Sequence, residues 1–176
     1  MQVTQILTGG FMKNILLLVS VLTLMFTFAA EVEAASSMAT SHPHALSTEI
    51  LGRAGLYSLN YDYMLNDKIA VGAGVATYSL NTTTDKVSTL VIPLYANYYF
   101  LGEGSHRLFG TAGLDFVFAS AKTEGDGVIK GSGVAGVIGG GYEYRSDAGL
   151  LFRFTPYVFV GKASGAWLGF SVGYSI

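Results

Sequence analysis

The chain has 176 residues, 51% of them hydrophobic and only 12% charged, with a formal net charge of −2 and no cysteine. That length holds one domain, or one domain and a removable leader. The charged share is about half the usual ~25%; with 23 glycines, 11 tyrosines and 11 phenylalanines it excludes a disordered chain and leaves too little charge to coat a water-facing globule. Without cysteine there is no disulfide and no thiolate metal site, and with Lys+Arg at 10 no nucleic-acid partner is expected.

Lys13 precedes the apolar run 15–30, and Val32-Glu33-Ala34 follows it. This is the charged, apolar and cleavage-site order of a secretory signal peptide. Cleavage is expected after Ala34, so residues 1–34 read as signal peptide; Met12-Lys13 resembles a natural signal start, which makes residues 1–11 an over-extended start. The 16-residue run is short of the ~20 that cross a bilayer as a helix, and no later stretch is longer or as apolar, so a helical anchor is not expected. No cysteine follows the leader, which excludes a lipoprotein anchor. The mature chain is almost neutral, and residues 35–45, with Ser36, Ser37, Ser41 and Pro43, lack periodicity and read as a flexible N-terminal tail.

From residue 46 the apolar period is two, and Gly, Asn, Asp and Ser clusters separate the segments. The first strand, 46–51, turns through Gly52-Arg53-Ala54-Gly55. If those four residues were a bulge the count would be seven; bacterial single-chain barrels have even counts, which selects eight. In 56–64, Tyr57, Leu59, Tyr61 and Tyr63 oppose Ser58, Asn60 and Asp62. In 68–80, Ile69, Val71, Ala73 and Val75 oppose Ala70, Gly72, Gly74 and Ala76. Segment 89–100 sets Leu90, Ile92, Leu94, Ala96, Tyr98 and Phe100 against Tyr95, Asn97 and Tyr99. Segment 107–119 sets Leu114, Phe116 and Phe118 against Thr111, Gly113 and Asp115, and 133–145 sets Val134, Ile138, Tyr142 and Tyr144 against Gly139, Gly141 and Glu143. In 150–160, Leu150, Phe152, Phe154 and Val158 oppose Arg153, Thr155 and Tyr157; in the last strand Leu168, Phe170, Val172, Tyr174 and Ile176 oppose Gly169, Ser171, Gly173 and Ser175. Pro93 and Pro156 fall inside strands, where each removes a ladder donor, so a bulge or local break is expected at both.

A soluble barrel with its oily face inward would alternate in the same way, so size decides the direction. Faces of Leu, Phe and Tyr would overfill an eight-stranded interior, whereas Gly, Ala, Ser and a few hydrogen-bonded polar groups fit it. The oily faces therefore point to lipid, in segments near the 9–11 residues of a tilted transmembrane strand. The connections Asn66-Asp67, 102–106 and 146–149 are short, while 81–88 and 122–131 are longer and polar; such alternation suits periplasmic turns and extracellular loops. The fold class read from residues 46–176 is all-β, an eight-stranded antiparallel transmembrane up-and-down β-barrel. On that topology Tyr61, Tyr63, Tyr98, Phe100, Tyr142, Tyr144 and Tyr174 share one rim and form an aromatic girdle.

On these residues the chain resembles the small outer-membrane β-barrel proteins of Gram-negative bacteria, the porin-like barrels similar in plan to the OmpA transmembrane domain and OmpX. Leu51-Gly52-Arg53-Ala54-Gly55-Leu56-Tyr57-Ser58-Leu59-Asn60-Tyr61-Asp62-Tyr63 resembles the opening hairpin of such barrels, and the likeness covers about residues 46–176. The ending Tyr174-Ser175-Ile176 looks like the aromatic-x-aromatic signal read by the barrel-assembly machinery, with Ile where the family usually ends in Phe. The resemblance implies residence in the outer membrane with lipid as neighbour, assembly by that machinery, and a role in the cell envelope.

The inward-facing charges Glu49, Arg53, Asp62, Asp115, Glu143 and Arg153 are the functional candidates. An unpaired charge in a narrow barrel costs several kcal/mol, so these should pair as a lumen network that plugs the barrel; a proton or ion path is the sharper alternative. Gly131-Ser132-Gly133-Val134-Ala135-Gly136 matches G-x-G-x-x-G but precedes an alternating strand where a dinucleotide site needs a helix. His42-Pro43-His44 lacks further fixed metal ligands. Deacylation of lipid A by a serine–histidine pair needs a histidine near the outer rim, whereas His106 falls at a short periplasmic turn. No catalytic, cofactor-binding or metal residue is therefore assigned. The expected function is that of a non-enzymatic, monomeric outer-membrane barrel with a closed or very narrow lumen, serving envelope structure or loop-mediated interaction. A narrow channel for small solutes and a secreted soluble ligand-binding barrel are the alternatives.

Overall fold

A computed structural model describes residues 42–81, 85–102, 104–123, 128–161 and 164–176. The signal peptide and all but the last four residues of the expected tail lie outside the described residues. Eight strands follow in chain order: β1 (His44–Ile50), β2 (Tyr57–Asn66), β3 (Ile69–Asn81), β4 (Asp85–Leu101), β5 (His106–Thr123), β6 (Val128–Arg145), β7 (Leu150–Val160) and β8 (Gly165–Ser175). Each pairs antiparallel with its sequence neighbours, and β1 pairs with β8 to close the barrel. His44 and Ile176 seal the seam by exchanging backbone hydrogen bonds of 2.9 and 2.8 Å. Closure pairs the ladder groups that an open sheet would leave bare, which a lipid-embedded sheet requires.

The barrel is organised inside out. Leu59, Tyr61, Val71, Leu94, Leu114, Ile138, Phe152 and Phe170 stand exposed on the outer wall, while the polar residues Ser58, Asn60, Asp62, Asn97, Thr111 and Thr155 are buried in the lumen. The strict eBeBeBeB burial of β2 shows how closely side-chain alternation follows the pleat.

Residues 51–56 form a turn, with Leu51 N–H donating to Leu56 O at 2.9 Å and Gly55 N–H to Gly52 O at 3.0 Å. This is no bulge, and the strand count of eight stands. Gly55 has φ +97°, a backbone region open to glycine at little cost. The turn folds inward: Ala54 is buried and packs with Ala76 and Val91.

The polar stretches 81–88 and 122–131, read from composition as long loops, are mostly strand. β4 begins at Asp85, β5 continues to Thr123 and β6 begins at Val128. Their polarity has another cause: β3 to β6 project beyond the apolar band, and there the oily side changes face. Lower down, Leu90, Leu94, Leu114 and Phe118 point outward. Above, Val87 and Ala121 occupy the opposite face, and Ser88, Ser120 and Lys122 the outer one.

Both prolines interrupt a ladder without shifting its register. β3–β4 pairing stops at Ala73↔Leu94 and resumes at Ala76↔Val91; β6–β7 pairing stops at Gly139↔Tyr157 and resumes at Tyr142↔Phe154. The register shifts lie elsewhere, at Met64/Asn66 and Tyr99/Leu101, beside short turns.

Candidate functional site

All six charges expected in the lumen are buried there, and two more join them, Arg107 and Arg145. Seven of the eight form two tiers. In the tier under the inward-folded turn, the Arg53 guanidinium lies 3.4 Å from the centre of the Tyr95 ring and 5.2 Å from that of Tyr157. Arg53 Nη2 donates to the Tyr157 hydroxyl at 3.0 Å, and that hydroxyl donates to Glu49 Oε1 at 2.7 Å. Glu49 Oε2 accepts the Arg53 backbone N–H at 3.1 Å and lies 3.8 Å from Arg53 Nε. An arginine held between two aromatic faces, with its carboxylate close by, combines cation–π attraction with charge-assisted hydrogen bonding.

Glycine makes this tier possible. A Cβ at Gly72 would lie 2.4 Å from the Tyr95 ring, and one at Gly169 would lie 2.8 Å from both the Tyr157 ring and Glu49 Oε1. The small inward face of the sequence is thus the wall on which large inward rings lie flat.

The other tier centres on Arg153. Its Nη1 donates to Asp62 Oδ2 at 2.8 Å, its Nε donates to Glu143 Oε2, and its Nη2 donates to the Tyr99 hydroxyl at 3.3 Å. Tyr99 in turn donates to Glu143 Oε2 at 2.8 Å, and Asn97 Nδ2 donates to Asp62 Oδ1 at 3.2 Å. Glu143 pairs with Arg153 across the β6–β7 ladder, whereas Asp62 sits on β2, beyond β8 and β1. One guanidinium therefore bridges the lumen from wall to wall. Arg145 Nε lies 3.2 Å and Arg107 Nη2 3.8 Å from Glu143 Oε1. Toward the rim of the chain ends, Arg145 Nη1 donates to His42 O at 3.3 Å and Arg107 Nη1 to Asp67 O at 3.5 Å.

Asp115 stands outside both hydrogen-bonded sets. It is buried, and its Oδ1 accepts no hydrogen bond among the described residues. Among the described residues the buried lumen charges balance: Arg53, Arg107, Arg145 and Arg153 face Glu49, Asp62, Asp115 and Glu143. The six expected residues alone carried two excess negative charges. Arg107 and Arg145 share the odd-numbered inward positions of Asp115 and Glu143, so extending each strand's alternation to its end would have found them.

The residues expected to form a girdle lie toward the rim of the chain ends. Tyr61, Tyr63, Tyr98, Phe100 and Tyr174 are exposed on the outer wall, while Tyr142 and Tyr144 are half-buried. Against them lies His106, whose ring is 5.0 Å from that of Tyr144 and 5.9 Å from that of Tyr142, with Nδ1 against the Tyr142 hydroxyl. His44 repeats the arrangement, 5.1 Å from Tyr63 and with Nδ1 2.6 Å from the Tyr61 hydroxyl. Ile176 is exposed at the seam. Gly131 to Gly136 lie within β6, so no helix follows the G-x-G-x-x-G match.

A closed eight-stranded antiparallel barrel with an apolar exterior and a polar, charge-filled interior is the architecture of small outer-membrane barrels. The solved structures agree. The chain is similar to the N-terminal β-barrel domain of Pseudomonas aeruginosa OprF, with TM-score 0.60 and 19% identity over 77% of this chain and 98% of that one. It is also similar to Neisserial surface protein A, with TM-score 0.51 and 16% identity over 76% of this chain and 93% of that one. At such identities the likeness establishes the fold. No protein-family model and no curated protein sequence matches the chain.

Proposed function

We propose that this protein is a non-enzymatic, monomeric barrel of the bacterial outer membrane, exported through a signal peptide cleaved after Ala34. Its lumen is closed, and it serves the envelope by reinforcing it or by presenting its projecting β3–β6 hairpins to other molecules. The observation that carries the closed lumen is the pair of arginine tiers. Arg153 bridges Asp62 and Glu143 across the interior, and Arg53 fills the space between Tyr95 and Tyr157. An eight-stranded barrel has an interior just wide enough for side chains to fill, and a porin-sized water channel takes about sixteen strands. Every lumen charge but Asp115 is occupied with another, which supports a structural network over a catalytic one.

In the membrane, the tyrosine-rich rim with Tyr61, Tyr63, Tyr98, Phe100, Tyr142, Tyr144 and Tyr174 lies at the periplasmic boundary as an aromatic girdle. Tyr174 and Ile176 serve as the assembly signal. The test is conductance: purified folded protein in planar bilayers should give no steady porin-sized current. Reproducible large channels that vanish when the protein is omitted would reject the closed lumen in favour of a solute channel.

A further inference from the structure

The outer face of the projecting β3–β6 sheet is ordered in rows by its register. Leu90 and Phe118 pair at the top of the apolar band. One pleat higher, Ser79, Ser88, Ser120 and Lys130 stand side by side, and Ser79 and Ser88 share a hydrogen bond of 3.0 Å. One pleat higher again, Lys86 and Lys122 are directly opposed. Two-residue steps on a strand rise about 6.6–6.8 Å, so the apolar, hydroxyl and cationic rows follow one another at that spacing along the strands.

Two further observations point to a ligand. Like charges directly opposed across a ladder destabilise it, and among the residues whose side chains are described, which leave out the neighbouring Asp85, no carboxylate forms a salt bridge with Lys86, Lys122 or Lys130. The face also carries a groove of about 450 Å³, with Leu90 and Phe118 on its apolar part and Ser88, Ser120 and Lys130 on its polar part. A groove apolar toward the lipid and cationic toward the water is complementary to an anionic amphiphile.

We propose that this face binds the phosphate group of a lipid in the leaflet at the projecting rim. The lysines take the phosphate, the serine hydroxyls donate to it, and an acyl chain lies along Leu90 and Phe118. The site rests on the membrane-barrel reading given above.

The experiment places the folded full-length mature protein in phosphatidylcholine nanodiscs with acyl-chain spin-labelled phosphatidic acid or spin-labelled phosphatidylcholine. It compares the motionally restricted fraction of each probe. Near-surface attraction predicts that phosphatidic acid is favoured, by about fivefold per engaged lysine at low salt. The preference should fall sharply in Lys86→Ser/Lys122→Ser/Lys130→Ser and survive in the matching triple Lys→Arg variant. Millimolar inorganic phosphate should not abolish it. Preference unchanged in the serine variant overturns the site, and erasure by inorganic phosphate shows a free-anion site and overturns the lipid assignment. If neither probe shows a restricted fraction, the barrel is not inserted, and the membrane reading fails together with the proposal.

Discussion

Arg153→Ala is the sharpest perturbation of the lumen. Removing the guanidinium deletes the hydrogen bonds to Asp62, Glu143 and Tyr99 at once. The two carboxylates do not lose equally. Glu143 keeps Arg145 at 3.2 Å and Arg107 at 3.8 Å, while Asp62 keeps the neutral Asn97 amide as its hydrogen-bond donor and no salt bridge among the described residues. Breaking a buried ion pair from one side costs roughly 3–5 kcal/mol because the remaining charge is stranded. With Glu143 still compensated, the loss concentrates on Asp62 and should fall near the lower end, about 3 kcal/mol. Urea unfolding of protein refolded into phospholipid vesicles reads this directly, with the single tryptophan, Trp167, as reporter. Adding Asp62→Asn to Arg153→Ala removes the stranded charge and should restore part of the loss. A single variant within about 0.5 kcal/mol of the parent, the range of an ordinary surface substitution, would refute the view that this arginine holds the lumen shut.

Folded protein should run differently on a gel before and after boiling, because a closed ladder with its donors paired resists detergent until heated; identical mobility of verified folded and boiled samples would count against the barrel. Phe170→Arg places a cation on the outer wall and should cost roughly 2–4 kcal/mol in vesicle unfolding, whereas the lumen substitution Ser171→Ala should cost much less; equal tolerance would show the facing to be wrong. Gly72→Val should destabilise the barrel by roughly 1–3 kcal/mol, the usual penalty of overpacking, because the added carbons collide with the Tyr95 ring; a neutral variant would mean that the ring is free to leave the wall.

The barrel was legible because its signal is periodic. An outward Leu, Phe or Tyr at every second position in segment after segment survives any uncertainty about where a strand ends. The ends were less legible. At β1, strand pairing begins at His44, inside a stretch whose Ser and Pro content gave no period. At the outer rim, composition was a poor guide for a physical reason: above the lipid boundary the outer face meets water, so Ser88, Ser120, Lys86 and Lys122 are strand residues with the composition of a loop.

The lumen network was half legible for a related reason. Parity assigns a charge to the interior wherever alternation is unbroken, and it placed Glu49, Arg53, Asp62, Asp115, Glu143 and Arg153 there. The reading stopped short of Arg107 and Arg145 because both sit at strand ends, where a turn can claim the residue as readily as the ladder. Electrostatics supplies the check that pattern lacks. A narrow, low-dielectric interior with two uncompensated negative charges would cost several kcal/mol for each, so two arginines and four carboxylates are incomplete on their face. Two cations at inward positions would balance it, and the sequence offers Arg107 on β5 and Arg145 on β6. Charge neutrality of the interior thus constrains which strand-end residues must turn inward, and in a barrel this narrow it does so more firmly than propensity at the ends.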